Sequence, residues 1–294
     1  MTLAQHPWFL ALRPKTLPAA AAPVLVGGAA AAGHDFALLP FMCALATSFL
    51  LQIGVNLAND YFDGLHGIDT PDRLGPQRVI QSGLVTPEQM RRVMLAVFAA
   101  IILLGIYLIT VGGWPIGAIG LASVAAALAY SGGPYPLASN GLGDLFVFIF
   151  FGPVAVCGTQ YVVAGVVTPT TMLSSLPVGF LITAILVVNN LRDIDTDRRA
   201  CKRTLAVMVG PGRTRKQFTA LLALAYAVVF GAVIGGNLPL PTMLIFLTAW
   251  PAVRRIREIY SQRGRALNIL LADTAKLAFL FSLFLAMGLL WARI

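Results

Sequence analysis

Charge is the scarcest ingredient of this 294-residue chain: Asp, Glu, Lys and Arg make up 11% of it, where a soluble domain carries roughly 25%. That deficit excludes a globular protein wrapped in water. Cysteine is also rare, and the three present suggest no disulfide framework: Cys43 and Cys157 sit inside apolar runs and Cys201 in a basic loop. His6, His34 and His66 are scattered, which excludes a histidine metal triad. No basic patch is interleaved with aromatics, so the formal charge of +9 does not read as a nucleic-acid surface. No Ser- or Cys-based catalytic triad is evident. What is there is apolar: 58% hydrophobic residues and a mean hydropathy of +0.81. The main solvent of such a chain is lipid.

A hydrocarbon core of about 30 Å takes roughly 20 apolar residues per helix, and backbone facing lipid must bond within its own segment. Nine segments qualify: 16–33, 37–62, 90–112, 114–131, 142–164, 170–191, 217–236, 238–256 and 267–291. The expected fold is all-α, a polytopic membrane bundle of nine transmembrane helices forming one domain over 1–294. Turn chemistry fills the short links, as at Gly112-Gly113-Trp114-Pro115. The N-terminal stub and the loops after the second, fourth, sixth and eighth segments hold all of the 21 Lys and Arg except Lys276 and Arg293. The positive-inside rule then predicts a bacterial inner-membrane protein with its N-terminus in the cytoplasm and its C-terminus outside. Pro18 and Pro23 favour an uncleaved first span over a signal peptide.

The chain also repeats itself. The second segment ends Asn59-Asp60-Tyr61-Phe62-Asp63 and the sixth ends Asn189-Asn190-Leu191-Arg192-Asp193. A helix-capping signature follows each, Thr86-Pro87-Glu88-Gln89 and Thr214-Arg215-Lys216-Gln217. Two four-helix halves plus a ninth helix are expected, with the site at their interface. Asn59 and Asp63 share one helical face, with Asn56 and Asp60 alongside, and Gly64 and Gly67 permit a turn that brings Asp69 back. Asn189, Asp193 and Asp197 form a stripe in the other half, with Asp195 beside it. One such motif alone has a plainer reading, a solvated and negatively charged helix end; recurrence at matching positions weakens that reading. Oxygen ligands without His or Cys suit Mg²⁺, which binds through one or two carboxylates plus substrate phosphates. Arg73 and Arg78 follow the first set, and Arg198, Arg199, Lys202 and Arg203 the second. Acids for a metal beside cations for phosphate oxygens make a diphosphate clamp with its active site near the cytoplasmic face. Asp273 and Lys276, three apart in the ninth segment, read as a neutralising pair.

At these residues the chain resembles the UbiA superfamily of intramembrane prenyltransferases, and most closely the branch that prenylates 1,4-dihydroxy-2-naphthoate in menaquinone synthesis. The resemblance runs from residue 13 to about 216. It is carried by Arg13-Pro14-Lys15-Thr16, Asn56 through Asp63 to Asp69, Arg73 and Arg78, Tyr130-Ser131-Gly132-Gly133-Pro134-Tyr135-Pro136, Gly141-Leu142-Gly143-Asp144, Asn189 through Asp197, and Lys202-Arg203-Thr204. It implies a bundle around a central cavity, open sideways to lipid for a long tail. It implies Mg²⁺ as cofactor, held by Asp63, Asp69, Asp193 and Asp197 as catalytic residues with Asp60 assisting. It further implies a polyprenyl diphosphate and an aromatic quinone precursor as partners, contacted by Asn59, Asn189, Lys15, Arg73, Arg78, Tyr130, Lys202 and Arg203. Many members place a Lys a few residues after the Tyr equivalent to Tyr130; here none follows, so the phosphate contact falls to the other cations.

The expected reaction joins the polyprenyl group to the naphthoate ring with loss of diphosphate and CO₂. Prenylation of 4-hydroxybenzoate is the alternative acceptor, disfavoured by the longer Asp63-to-Asp69 spacing and the missing Lys. A secondary transporter with paired acidic sites is the alternative from another class. Transporters set their acids near the bilayer midplane, whereas these stand at helix ends beside cations.

Overall fold

The computed structural model describes residues 6–65 and 74–292, and among them every regular element is helical. A short helix, α1 (Pro7–Leu12), turns into α2 (Leu17–Ala31), followed by α3 (Leu38–Leu65) and α4 (Pro87–Ala129). Then come α5 (Gly143–Ile149), a π-turn at Phe150–Val154 and α6 (Ala155–Ala164), which together make one crossing-length rod. The long helices α7 (Pro169–Arg199) and α8 (Leu205–Ile234) precede a 3₁₀ segment, Leu240–Thr248, with α9 (Ala249–Ser261), and α10 (Leu267–Trp291) closes the chain.

Six helices among the described residues are long and apolar enough to cross a membrane: Leu38–Leu65, Pro87–Ala129, Gly143–Ala164, Pro169–Arg199, Leu205–Ile234 and Gly264–Trp291. The chain is thus an all-helical multi-pass membrane protein, but this count does not return the nine expected spans or two matching halves. Three local causes account for the difference. Segments 90–112 and 114–131 run together as α4, broken only at Gly113 (φ 69°, ψ −164°), inside the expected turn. The first segment gives a helix of only 15 residues, α2. Segment 238–256 opens as a 3₁₀ turn after Pro239.

The first capping signature forms as read: Gln89 N donates to Thr86 Oγ1 at 3.2 Å and Thr86 N donates to Gln89 Oε1 at 3.0 Å. The second does not. Helix α8 already begins at Leu205 behind Thr204, and it bends at Gly210 (φ 81°, ψ 166°) before Pro211. Thr214 therefore lies inside the helix, and its hydroxyl donates to Gly210 O at 2.8 Å.

The largest apolar core joins α2, α6, α7, α8 and α10, and a second joins α1, α3 and α4. Large apolar side chains such as Leu103, Leu121 and Ile234 remain exposed around the outside, as a lipid-facing belt requires. Helix α10 packs so closely on the 3₁₀ segment that a Cβ on Gly288 would lie 2.5 Å from Thr242 Cα. Backbone cannot rotate away, so Gly288→Ala must separate the two elements. Overpacking of this kind costs about 1–3 kcal/mol. Thermal unfolding of the detergent-solubilised protein should show a lowered Tm for Gly288→Ala but not for Gly105→Ala, whose Cβ would meet open space. Equal melting of the two variants would refute this packing.

Candidate active site

Helix α3 delivers its polar residues in one turn-by-turn ladder. Asn56 is spent on the fold: its Nδ2 donates to Leu12 O at 3.0 Å and to Thr16 Oγ1 at 3.1 Å, pinning the α1–α2 joint. Asn59 Oδ1 accepts from Ser131 Oγ at 2.6 Å, tying α3 to the segment after α4. Asp60, 1% exposed, accepts from the backbone N–H groups of Val79 at 3.2 Å and Ile80 at 3.5 Å. It thereby anchors the chain returning toward the helix end, a structural duty the sequence did not announce.

Asp63 is the focus. It is 3% exposed, and Arg78 Nη2 stands 3.0 Å from Oδ2 while Lys202 Nζ stands 2.9 Å from Oδ1. Buried charges persist only when paired, and here both oxygens are. Lys202 stands just past the end of the other acidic helix. Helix α7 ends at Arg199, Cys201 turns in the left-handed conformation (φ 57°), and Lys202 N donates to Asp197 O at 2.8 Å. Rooted on one acidic end, Lys202 reaches the other.

The second end is bound from the opposite direction. Arg192, 4% exposed, donates to both Asp193 oxygens at 2.8 and 2.5 Å, to Asn189 Oδ1 at 2.8 Å and to Asn268 Oδ1 at 2.8 Å. Asn268, at the start of α10, donates onward to Leu74 O at 2.8 Å. Gly75 follows, and a Cβ there would lie 2.7 Å from Arg192 Nη2. Leu74 and Gly75 thus rest on the end of α7 and the start of α10. Both acidic ends also act on one phenol: burial first, then the charges on Asp144, Asp63 and Asp197, push the Tyr130 hydroxyl above its ordinary range. It stays a proton donor.

The remaining expected residues divide. Asp197 is half-buried and Asp195 exposed. Lys15 and Arg203 are exposed and neither pairs with Asp63 or Asp193. Asp69 and Arg73 lie outside the described residues. Among the described residues no group of three or more His, Cys, Asp or Glu gathers closely enough to hold a metal ion. The donor chemistry nevertheless suits a hard cation: Asp63 and Asp193 are carboxylates, held near their neighbours by Arg and Lys rather than by His or Cys. Asp273 is paired with Arg255 of α9 and, at 3.3 Å, with Lys276. The neutralising role expected of that pair therefore holds, with Arg255 added. Cavities of about 410 and 290 Å³ open elsewhere, at Tyr226–Phe246 and at Thr170–Asn237, and include none of these residues.

Sequence reasoning missed Asn268 and the bridging role of Arg192, since both depend on α10 meeting α7. A polar residue opening an apolar run was the only signal for Asn268.

Comparison with known proteins adds four findings. The model of the UbiA prenyltransferase family matches residues 20–283. The chain is 40% identical over 290 residues to a 1,4-dihydroxy-2-naphthoate octaprenyltransferase of Mycobacterium tuberculosis, covering 98% of each. It is 32% identical over 281 residues to the protein of that name from Bacillus subtilis, covering 95% of this chain and 90% of the relative. Its fold is similar to that of a UbiA homolog from Archaeoglobus fulgidus bound to GPP and Mg²⁺, with TM-score 0.70 and 15% identity over 97% of this chain and 99% of the other.

Proposed function

The chain belongs to the UbiA prenyltransferase family, and from that premise we propose that it transfers a polyprenyl group from polyprenyl diphosphate to 1,4-dihydroxy-2-naphthoate. Diphosphate and CO₂ leave, and demethylmenaquinol forms. The acceptor is supported by the names of relatives at 40% and 32% identity over nearly the whole chain. The single observation that carries the mechanism is the convergence of Arg78 and Lys202 on Asp63.

Arg78 and Lys202 are the cations placed to receive diphosphate oxygens as the allylic C–O bond breaks and its electron pair departs with the diphosphate. Asn59, Asn189, Lys15, Arg73, Tyr130 and Arg203 complete the substrate contacts in this reading. The protonated Tyr130 hydroxyl donates toward the anionic side, and its ring offers a π face to the allylic cation. The electron-rich acceptor ring attacks that cation at the carbon bearing the carboxylate. The carboxylate leaves as CO₂, and its bonding pair restores the aromatic ring. Mg²⁺, held by Asp63, Asp69, Asp193 and Asp197 with Asp60 beside them, would supply Lewis-acid stabilisation of the departing diphosphate.

We read the chain as one domain over 1–294 with nine crossings. Counting the arms of α4 on either side of Gly113 separately, and adding α2 and the Leu240–Ser261 unit, supports that number. The two halves would meet where α3 and α7 end. The loop cations put that meeting point on the cytoplasmic side of a bacterial inner membrane, N-terminus inside. Acids neutralised at helix ends are poorly suited to a transporter. Cells deprived of the protein should lose their menaquinone or related naphthoquinone and regain it with a plasmid copy. Loss of a benzoquinone instead would move the reading to 4-hydroxybenzoate.

A further inference from the structure

One buried acid takes no part in the clamp. Asp144 stands in the first turn of α5 and is 8% exposed. The other buried carboxylates meet cations or backbone amides: Asp63 meets Arg78 and Lys202, Asp193 meets Arg192, and Asp60 meets Val79 and Ile80. Asp144 meets neutral amides from two other helices. Gln217 Nε2 of α8 donates to its Oδ2 at 2.6 Å, and Asn190 Nδ2 of α7 donates to its Oδ1 at 3.4 Å. Among the described residues no Lys or Arg pairs with it. An acid inside a membrane bundle without a counter-cation marks a functional position.

Three placements set it beside the clamp. Asn190 adjoins Asn189, which Arg192 holds. A Cβ on Gly143 would lie 3.3 Å from Tyr130 Oη, so the residue before Asp144 abuts that hydroxyl. Tyr130 in turn precedes Ser131, whose hydroxyl donates to Asn59 Oδ1 of α3 at 2.6 Å. Asp144 thus shares the tyrosine with the clamp but lacks the cations that bind phosphate.

We propose that Asp144, held by Gln217 and Asn190, is a specificity residue of the acceptor subsite, its carboxylate accepting a hydrogen bond from a ring hydroxyl of the dihydroxynaphthoate. This rests on the function proposed above. A carboxylate offers about four lone-pair sites, and two amide donors leave room for another donor. A hydroxyl meets that need, whereas diphosphate or the acceptor's own carboxylate is repelled. Hydrogen bonding to an anion also enriches the ring in electrons, which favours attack on a carbocation. A site built to bind a hydroxyl discriminates strongly against analogues lacking it, because its polar groups are then left unpaired.

The test uses the full-length protein in liposomes with polyprenyl diphosphate, Mg²⁺ and dihydroxynaphthoate. Asp144→Asn should raise the KM for dihydroxynaphthoate about tenfold to a hundredfold and leave the KM for polyprenyl diphosphate and the Mg²⁺ dependence unchanged. Two monohydroxy analogues, 1-hydroxy-2-naphthoate and 4-hydroxy-2-naphthoate, serve as competing ligands. Wild type should bind one of them markedly more weakly than the other, and Asp144→Asn should erase that difference. Should Asp144→Asn fail to accumulate, Gln217→Ala carries the same comparison, with acceptor KM raised about threefold to tenfold. Unchanged acceptor KM, or equal discrimination between the analogues in wild type and variant, overturns the inference alone. Failure of wild type to prenylate dihydroxynaphthoate overturns the functional reading with it.

Discussion

Replacing Asp63 by alanine is expected to reduce turnover by about 10²–10³-fold or more, the loss seen when one preorganised electrostatic group is removed from an active site. The physical reason is twofold. Asp63 holds Arg78 at 3.0 Å and Lys202 at 2.9 Å, so its removal scatters the two cations that the diphosphate would meet. It also takes an anion from two cations whose side chains are only 5% and 16% exposed; breaking a buried pair costs about 3–5 kcal/mol. Turnover per inserted molecule, measured beside thermal unfolding, separates the two effects. Asp63→Asn keeps the side chain's shape and should still lose activity. A fully active Asp63→Asn would remove the residue from the reaction.

Asp193→Ala is expected to be as damaging, by a different route. Arg192, its side chain 1% exposed, would lose the carboxylate that orients it and with it the geometry toward Asn189 and Asn268. Since Asn268 also holds Leu74 O, the disturbance spreads from α7 to Leu74. Turnover should fall about 10²–10³-fold. Asp195→Ala supplies the control, because that acid is exposed and stands off the stripe of Asn189, Asp193 and Asp197. It should retain near-wild-type activity. Equal losses at 193 and 195 would mean that acidity of the helix end, not the stripe, is what matters.

The parts of this protein governed by local chemistry were legible in its sequence. The apolar runs predicted helices, Gly112–Pro115 marked the break in α4, and Thr86 to Gln89 formed the expected capping box. The two Asn/Asp helix ends were legible too, because carboxylates ending long apolar stretches need a reason to be there. Where a single residue redirected the backbone, reading failed: Gly210 before Pro211 bends α8 ahead of Thr214, so the second capping signature sits inside a helix. Side-chain partnerships across helices were out of reach. Gln217 looked like part of a cap yet binds Asp144, 73 residues away in sequence. Asn268 carried no motif, but joins Arg192 to Leu74. Asp60, read as a metal helper, anchors Val79 and Ile80, and that could not be known before the chain's return path was.

Prenyl transfer as proposed needs a metal–diphosphate grip at the ends of α3 and α7. The most direct measurement gives the purified protein, in liposomes, radiolabelled polyprenyl diphosphate and dihydroxynaphthoate while Mg²⁺ is titrated and then chelated. Labelled demethylmenaquinol and free diphosphate should form together, rise with Mg²⁺ and cease on chelation. Product formation indifferent to chelation, or diphosphate release without transfer to the naphthoate ring, would contradict it.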